Sequence, residues 1–212
     1  MRNLEVAVYD AIKNLRRKNK VDGVRLSLSH RPSGLLITEN DIFDLLASLR
    51  GSRYGAYFHG LNPAKDSWRD VFGVTRPLWN ATIIELCKYL PYLGFLDKND
   101  LYRMLGIRIG KNTTIGPRVQ FDCFNPELIE IGDSCLVGDS ASFWTHDYYT
   151  NSLFIGSVNI GDRVKIGACS IIGPSDIGND VEIGVNSFVY GKVPSNSRVV
   201  PVKTRVIKHS IK

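Results

Sequence analysis

The chain has 212 residues, enough to bury one sizeable core, alone or with a smaller appendage. Apolar content of 43% and charged content of 23% are ordinary for a soluble globular protein, and no apolar run approaches the roughly 20 residues that span a bilayer. A net charge of +6 admits an anionic partner such as nucleic acid, a phosphorylated ligand or a membrane surface.

The first segment, MRNLEVAVYDAIKNLRRKNK, places basic residues after its apolar positions and lacks a small-residue cleavage site, so no signal peptide is expected there. Within it LEVAVYDAIKNL has helical spacing. The basic run Lys13 to Lys20 reads as a solvated helix face, with contact to anionic lipid or glycan as the alternative. ITENDIFDLLASLR opens with Thr38 and Asn40 as caps before an apolar stretch. HGLNPAKDSWRD reads as loop, and LWNATIIELCKYLPYLGFL as an apolar helix interrupted by Pro91. Residues 1–76 therefore form a region without assigned role, 77–105 a helical lead-in, and 106–212 a third region of different character.

From Ile109 a bulky aliphatic followed by glycine recurs: Ile109-Gly110, Ile115-Gly116, Ile131-Gly132, Val137-Gly138, Ile160-Gly161, Ile166-Gly167, Ile177-Gly178, Ile183-Gly184. The period is six, with Phe121, Phe143, Ile172 and Val189 filling the aliphatic slot without glycine. Four residues on stands a small or β-branched side chain, as at Val119, Cys135, Ala141, Val164, Ser170, Val181 and Ser187. This period fits neither an α-helix, at about 3.6, nor an alternating strand. It fits a parallel β-helix in which each hexad is one short strand and a turn, the aliphatic points inward, and Gly or Asn/Asp supplies a positive φ. Three hexads close a triangular coil, and coils stack at about 4.8 Å. Ordinary Gly-rich hairpins would not hold one register over so many units. The expected fold class is mainly β, a parallel β-helix with a mixed, partly helical N-terminal region.

The repeat breaks between Phe143 and Ile160, where seventeen positions replace the twelve that two hexads need. A short loop is expected to leave the coil just after His146. Cys87, Cys123, Cys135 and Cys169 have no paired spacing and read as reduced thiols, which favours a cytoplasmic location.

Over about residues 100 to 208 the chain resembles the hexapeptide-repeat acyltransferases, left-handed β-helix proteins that include the sugar O-acetyltransferases. Beyond the hexads, the resemblance rests on LYRMLGIRIGKNTTIG, FDCFNPELIEIGD, WTHDYYTNSLFIGSVNIGD and IGVNSFVYGKVPSNSRVVPVKTRVIK. It implies that His146 is the general base, a role that suits a side chain titrating near neutral pH. It places Asp122 or Asn125 on the acceptor, with turn formation as the other reading of Asp122. Trp144 stacks on a sugar-like acceptor or caps the β-helix edge; Asp147 orients the imidazole or sits in solvent.

The resemblance also implies a homotrimer, with coenzyme A in a groove between adjacent β-helices. Ala168, Val185 and Tyr190 would meet the pantetheine side, against plain packing as the alternative for Val185 and Tyr190. Arg205 and Lys208 would meet the phosphates, as cations suit them. Two departures fall near that groove: Pro201-Val202-Lys203-Thr204 replaces the usual Gly-Asn-Pro-Ala, and IIGPSDIG is one residue short of a full hexad. Hexapeptide-repeat carbonic anhydrases bind zinc through three histidines, but the repeat here holds only His146, with His30, His59 and His209 outside it, so no metal is expected. The implied activity is transfer of acetyl from acetyl-CoA to a hydroxyl, less readily an amine, of a sugar or glycan precursor. No nucleic-acid partner is implied, and peripheral membrane contact stays open. The alternative from another class is a non-catalytic trimeric scaffold or regulatory subunit.

Overall fold

The computed structural model describes residues 25–28, 55–59, 74–90, 97–149 and 152–201. The helical readings of residues 4–15 and 38–50, the basic run, the loop after His59, Pro91, Arg205 and Lys208 lie outside them. Among the described residues two strands come first, β1 (Arg25–Leu28) and β2 (Gly55–His59), then helix α1 (Thr75–Cys87) and helix α2 (Lys98–Met104). His59, the first residue of the expected loop, is the last of β2.

The hexads then wind as a three-faced prism. Coil one is β3 (Arg108–Ile109), β4 (Thr114–Ile115) and β5 (Gln120–Phe121); coil two is β6 (Ile129–Ile131), β7 (Leu136–Val137) and β8 (Ser142–Phe143). A hairpin, β9 (His146–Tyr149) and β10 (Ser152–Gly156), separates coil two from β11 (Val158–Ile160) and β12 (Lys165–Ile166). β13 (Ile171–Ile177), β14 (Glu182–Ile183), β15 (Phe188–Val193) and β16 (Arg198–Val199) complete the winding. Neighbours within each face pair in parallel: β3-β6-β11 continue into the second half of β13, β4-β7-β12-β14-β16 form the second face, and β5-β8 continue into the first half of β13. β15 pairs with β13 along both halves.

The aliphatic slots point inward as the period requires. Ile115, Phe121, Ile131, Val137, Phe143, Ile166, Ile172 and Ile183 are at most 3% exposed and share one core. Phe121 stacks on Phe143 at 4.9 Å between ring centroids, and Tyr102 of α2 meets Phe121 edge-on at 4.7 Å, closing the first coil from below. Ile84, Cys87 and Leu90 at the end of α1 join the same core.

The turns bear out the expected Asn and Asp, at Asn112, Asp180, Asn186 and Asn196, but not the hexad glycine. The left-handed residue is a non-glycine three places after the slot: Asn112, Arg118, Ser134, Ser140, Arg163, Cys169, Asp180, Asn186 and Asn196, with φ between 53 and 58°. The hexad glycine is needed because neighbouring coils touch there. A Cβ on Gly132 would stand 2.6 Å from Gly161 O, and one on Gly138 would stand 2.5 Å from Ala168 N.

Three further corrections concern the winding. The expected short loop after His146 is the β9–β10 hairpin, and β10 pairs on its other side with β2, itself parallel to β1. IIGPSDIG makes no tight turn, because β13 runs unbroken across the corner and shifts register against β15 between Ile172 and Ser175. A fifth coil begins beyond Val189, where Val193 and Val199 fill inward slots without a glycine and Asn196 takes the left-handed position. No helix among the described residues is long and apolar enough to cross a membrane.

Candidate active site

Two excursions leave the prism at one corner, where the third face passes to the first. The earlier runs from Asp122 to a 3-10 turn at Pro126–Leu128; the later is the β9–β10 hairpin. Because Gln120 pairs with Ser142 and Phe121 with Phe143, Asp122 lies beside the start of the later excursion.

Asp122 is fully buried, and its two carboxylate oxygens take four hydrogen bonds. Oδ1 accepts from the Phe124 N–H at 2.8 Å; Oδ2 accepts from the Thr145 N–H at 2.9 Å and the Thr145 hydroxyl at 2.6 Å. The fourth partner is His146 Nδ1, at 2.6 Å from Oδ2. Burial alone would push the Asp122 carboxyl up, but the bond and charge of His146, with both Thr145 donors, outweigh it and hold the carboxyl below its ordinary value. An ionised carboxylate only accepts, so the proton between them belongs to Nδ1 and the basic lone pair of the neutral ring falls on Nε2.

Aromatic side chains surround the ring. Phe124 stands edge-on at 4.9 Å, Tyr148 at 5.7 Å and Trp144 at 6.2 Å, and the His146 side chain is 12% exposed. The site can therefore hold a base of fixed tautomer in a largely apolar cup. Asn125 is buried with neither amide atom partnered, and the Tyr148 hydroxyl is buried and likewise unpartnered.

Several expected residues change place. Asp147, offered as the imidazole's orienting partner, is exposed on β9; Asp122 makes that contact from one coil earlier. Asp122, offered to the acceptor, lies beneath the imidazole with its oxygens engaged inside the chain. Trp144 remains part-exposed beside the ring. Coil stacking could have revealed the dyad, since residue 122 aligns with residue 144 when the two phenylalanines are paired.

The residues expected to meet the donor fall at two corners. Ala168 and Val185 stack in successive coils where the second face meets the third; the Asn186 N–H donates to Ala168 O at 2.9 Å, and Val185 is exposed. Tyr190 lies instead at the corner that carries His146, its ring over Gly173 and 6.2 Å from Phe154 of the hairpin. The four cysteines are free.

The chain is 33% identical over 130 residues, 60% of its length, to the candidate acetyltransferase YvoF of Bacillus subtilis, covering 74% of that protein. It is 34% identical over 111 residues to the serine acetyltransferase of Mycobacterium tuberculosis, spanning 50% of this chain and 48% of that one. A hexapeptide-repeat acetyltransferase of Vibrio cholerae, crystallised with acetyl coenzyme A, superposes with a TM-score of 0.45 at 20% identity, over 57% of this chain and 81% of that chain. No family model matches the chain.

Proposed function

From the premise that this chain belongs to the hexapeptide-repeat acetyltransferases, a family built on the left-handed β-helix, we propose that it moves acetyl from acetyl-CoA to a hydroxyl of a sugar or glycan precursor. The observation that carries the reading is the buried Asp122 carboxylate on His146 Nδ1, which leaves Nε2 as the basic nitrogen.

Nε2 takes the hydroxyl proton as the acceptor oxygen attacks the thioester carbonyl. Asp122 stabilises the imidazolium so formed, and backbone amides of a neighbouring coil hold the oxyanion. Collapse breaks the carbon–sulfur bond; the leaving thiolate takes the proton back from His146, giving an acetyl ester and the free thiol.

The acceptor would lie against Trp144, with Asn125 reaching it. Buried polar groups are ordinarily paired, so the unpartnered Asn125 amide supports a ligand role. The donor would run along the Ala168–Val185 corner towards Tyr190, with Arg205 and Lys208 on its phosphates. Outward residues Ile171 and Phe188 are 42% and 70% exposed on the third face, beside Val185 at 61%. That exposed apolar strip supports burial against a second copy, as in a homotrimer with the donor groove between chains.

An amino-acid hydroxyl is the second reading of the acceptor, favoured by the likeness to a serine acetyltransferase. Thiol release from acetyl-CoA, measured with a panel of sugars and with L-serine, tests both. Turnover with a sugar supports the first reading and turnover with L-serine the second. No release with any acceptor, while the chain is folded, would return the non-catalytic scaffold.

A further inference from the structure

Helix α1 lies outside the winding, yet its inner face ends on the residues that follow Asp122. Asn80, 4% exposed, donates through Nδ2 to Cys123 O at 2.8 Å. One turn earlier, Arg76 Nη1 donates to Phe124 O at 2.9 Å, and its Nη2 pairs with Glu127 at 2.5 Å. Between those two carbonyls stands the Phe124 N–H, which donates to Asp122 Oδ1; the Phe124 ring is edge-on to His146. The excursion's own regular structure is one 3-10 turn, Pro126–Leu128, so the peptide groups at 123 and 124 are fixed from α1.

We infer that Arg76 and Asn80 are positioning residues for the reaction: by holding the Cys123 and Phe124 carbonyls they set the Asp122 carboxylate against the His146 ring. A charge-assisted bond from Arg76 and a buried amide bond from Asn80 act on adjacent peptides, so the loop cannot rotate about either alone. Misplacement by about 1 Å at such a centre is enough to cost turnover heavily. The lead-in helix is then part of the active site's frame as well as a cap on the core. The inference rests on His146 being the base, and its test keeps the two claims apart.

The probe is the Nδ1–H resonance of His146 in protein labelled with 15N-histidine, identified by its loss in His146→Ala. The bond to Asp122 should place it far downfield. Asn80→Ala and Arg76→Met should move it upfield or broaden it, and Thr82→Ala, on the outer face of α1, should leave it in place. In thiol release with acetyl-CoA and the panel's best acceptor, both variants should lower kcat roughly ten-fold with an unchanged KM for acetyl-CoA. Arg76→Lys should restore most of that loss. Neither substitution should add a loss in an Asp122→Asn background, because the group they position has gone.

An unmoved resonance in both variants, or losses that add fully to Asp122→Asn, would overturn the clamp. Arg76 is 25% exposed, so its variants give this answer even where Asn80→Ala fails to fold. Full turnover in His146→Ala would remove the base reading alone, since the resonance shift is measured without catalysis.

Discussion

Two corners of the prism and the third obey different arithmetic. From inward slot to inward slot, the first two always take six residues, as in Ile109, Ile115, Phe121 or Ile160, Ile166, Ile172. The third takes ten from Phe121 to Ile131, seventeen from Phe143 to Ile160, five from Ile172 to Ile177 and four from Val189 to Val193. The regular corners are held by backbone ladders, by glycines that let coils touch, and by left-handed residues. The irregular corner carries Asp122, Thr145 and His146, and elements from outside the repeat brace it: α1 on one excursion, β2 on the other. Regularity supplies the stiffness, and the proposed chemistry sits where regularity stops.

The largest test of this contrast is His146→Ala, which should cut turnover per folded molecule by roughly a hundred-fold or more while leaving the acetyl-CoA affinity near that of the parent. Equal rates for variant and parent would remove the base assignment. Asp122→Asn comes next, at roughly a hundred-fold, since an amide no longer enforces the tautomer.

Asp122→Asn should also change the response to acid. Folding lowers the Asp122 carboxyl below its ordinary value, so the stability it adds is present above about pH 4 and is lost as pH falls through the lowered value. Below about pH 4 the melting temperature should therefore fall more steeply with pH in the parent than in the variant. Identical slopes would mean that the carboxylate is not held ionised.

A regular corner should show the opposite signature. Gly132→Ala forces a methyl against the Gly161 carbonyl and should lose about 1–3 kcal/mol of stability, read by denaturant titration, with turnover per folded molecule preserved. If the proposed trimer forms, the parent should scatter as three chains and Phe188→Glu on the third face should lower that mass towards one; an unchanged trimer would move the interface elsewhere. The smallest effect is expected at Arg163→Gly, where relief of a left-handed φ of 56° offsets loss of the exposed pair with Asp180, leaving turnover and melting temperature nearly unmoved.

The winding was legible in the sequence because a fixed inward slot is a local pattern, and the break at His146 was legible because it violates that pattern. What was hidden depends on stacking. A linear reading offers Asp147 to the imidazole and Asp122 to the acceptor or a turn, and only the pairing of Phe121 with Phe143 brings Asp122 beneath the ring and leaves Asp147 outside. The hexad glycine was misread as a turn former, because its constraint comes from a chain segment a coil away. The fifth coil escaped notice for the complementary reason: Val193 and Val199 lack the glycine marker. Arg76 and Asn80 had no signal at all, since their partners stand more than forty positions downstream.

The uneven third corner has one more consequence, for insertions and deletions. Adding one residue inside a six-residue step would put the next slot out of phase and turn the apolar side chains after it towards water. At the third corner, lengths from four to seventeen are already accommodated with every later slot still facing inward. That edge is where a foreign loop could be spliced without resetting the reading frame of the core, and recognition of a new acceptor could be grafted there while the remaining two edges stay as they are.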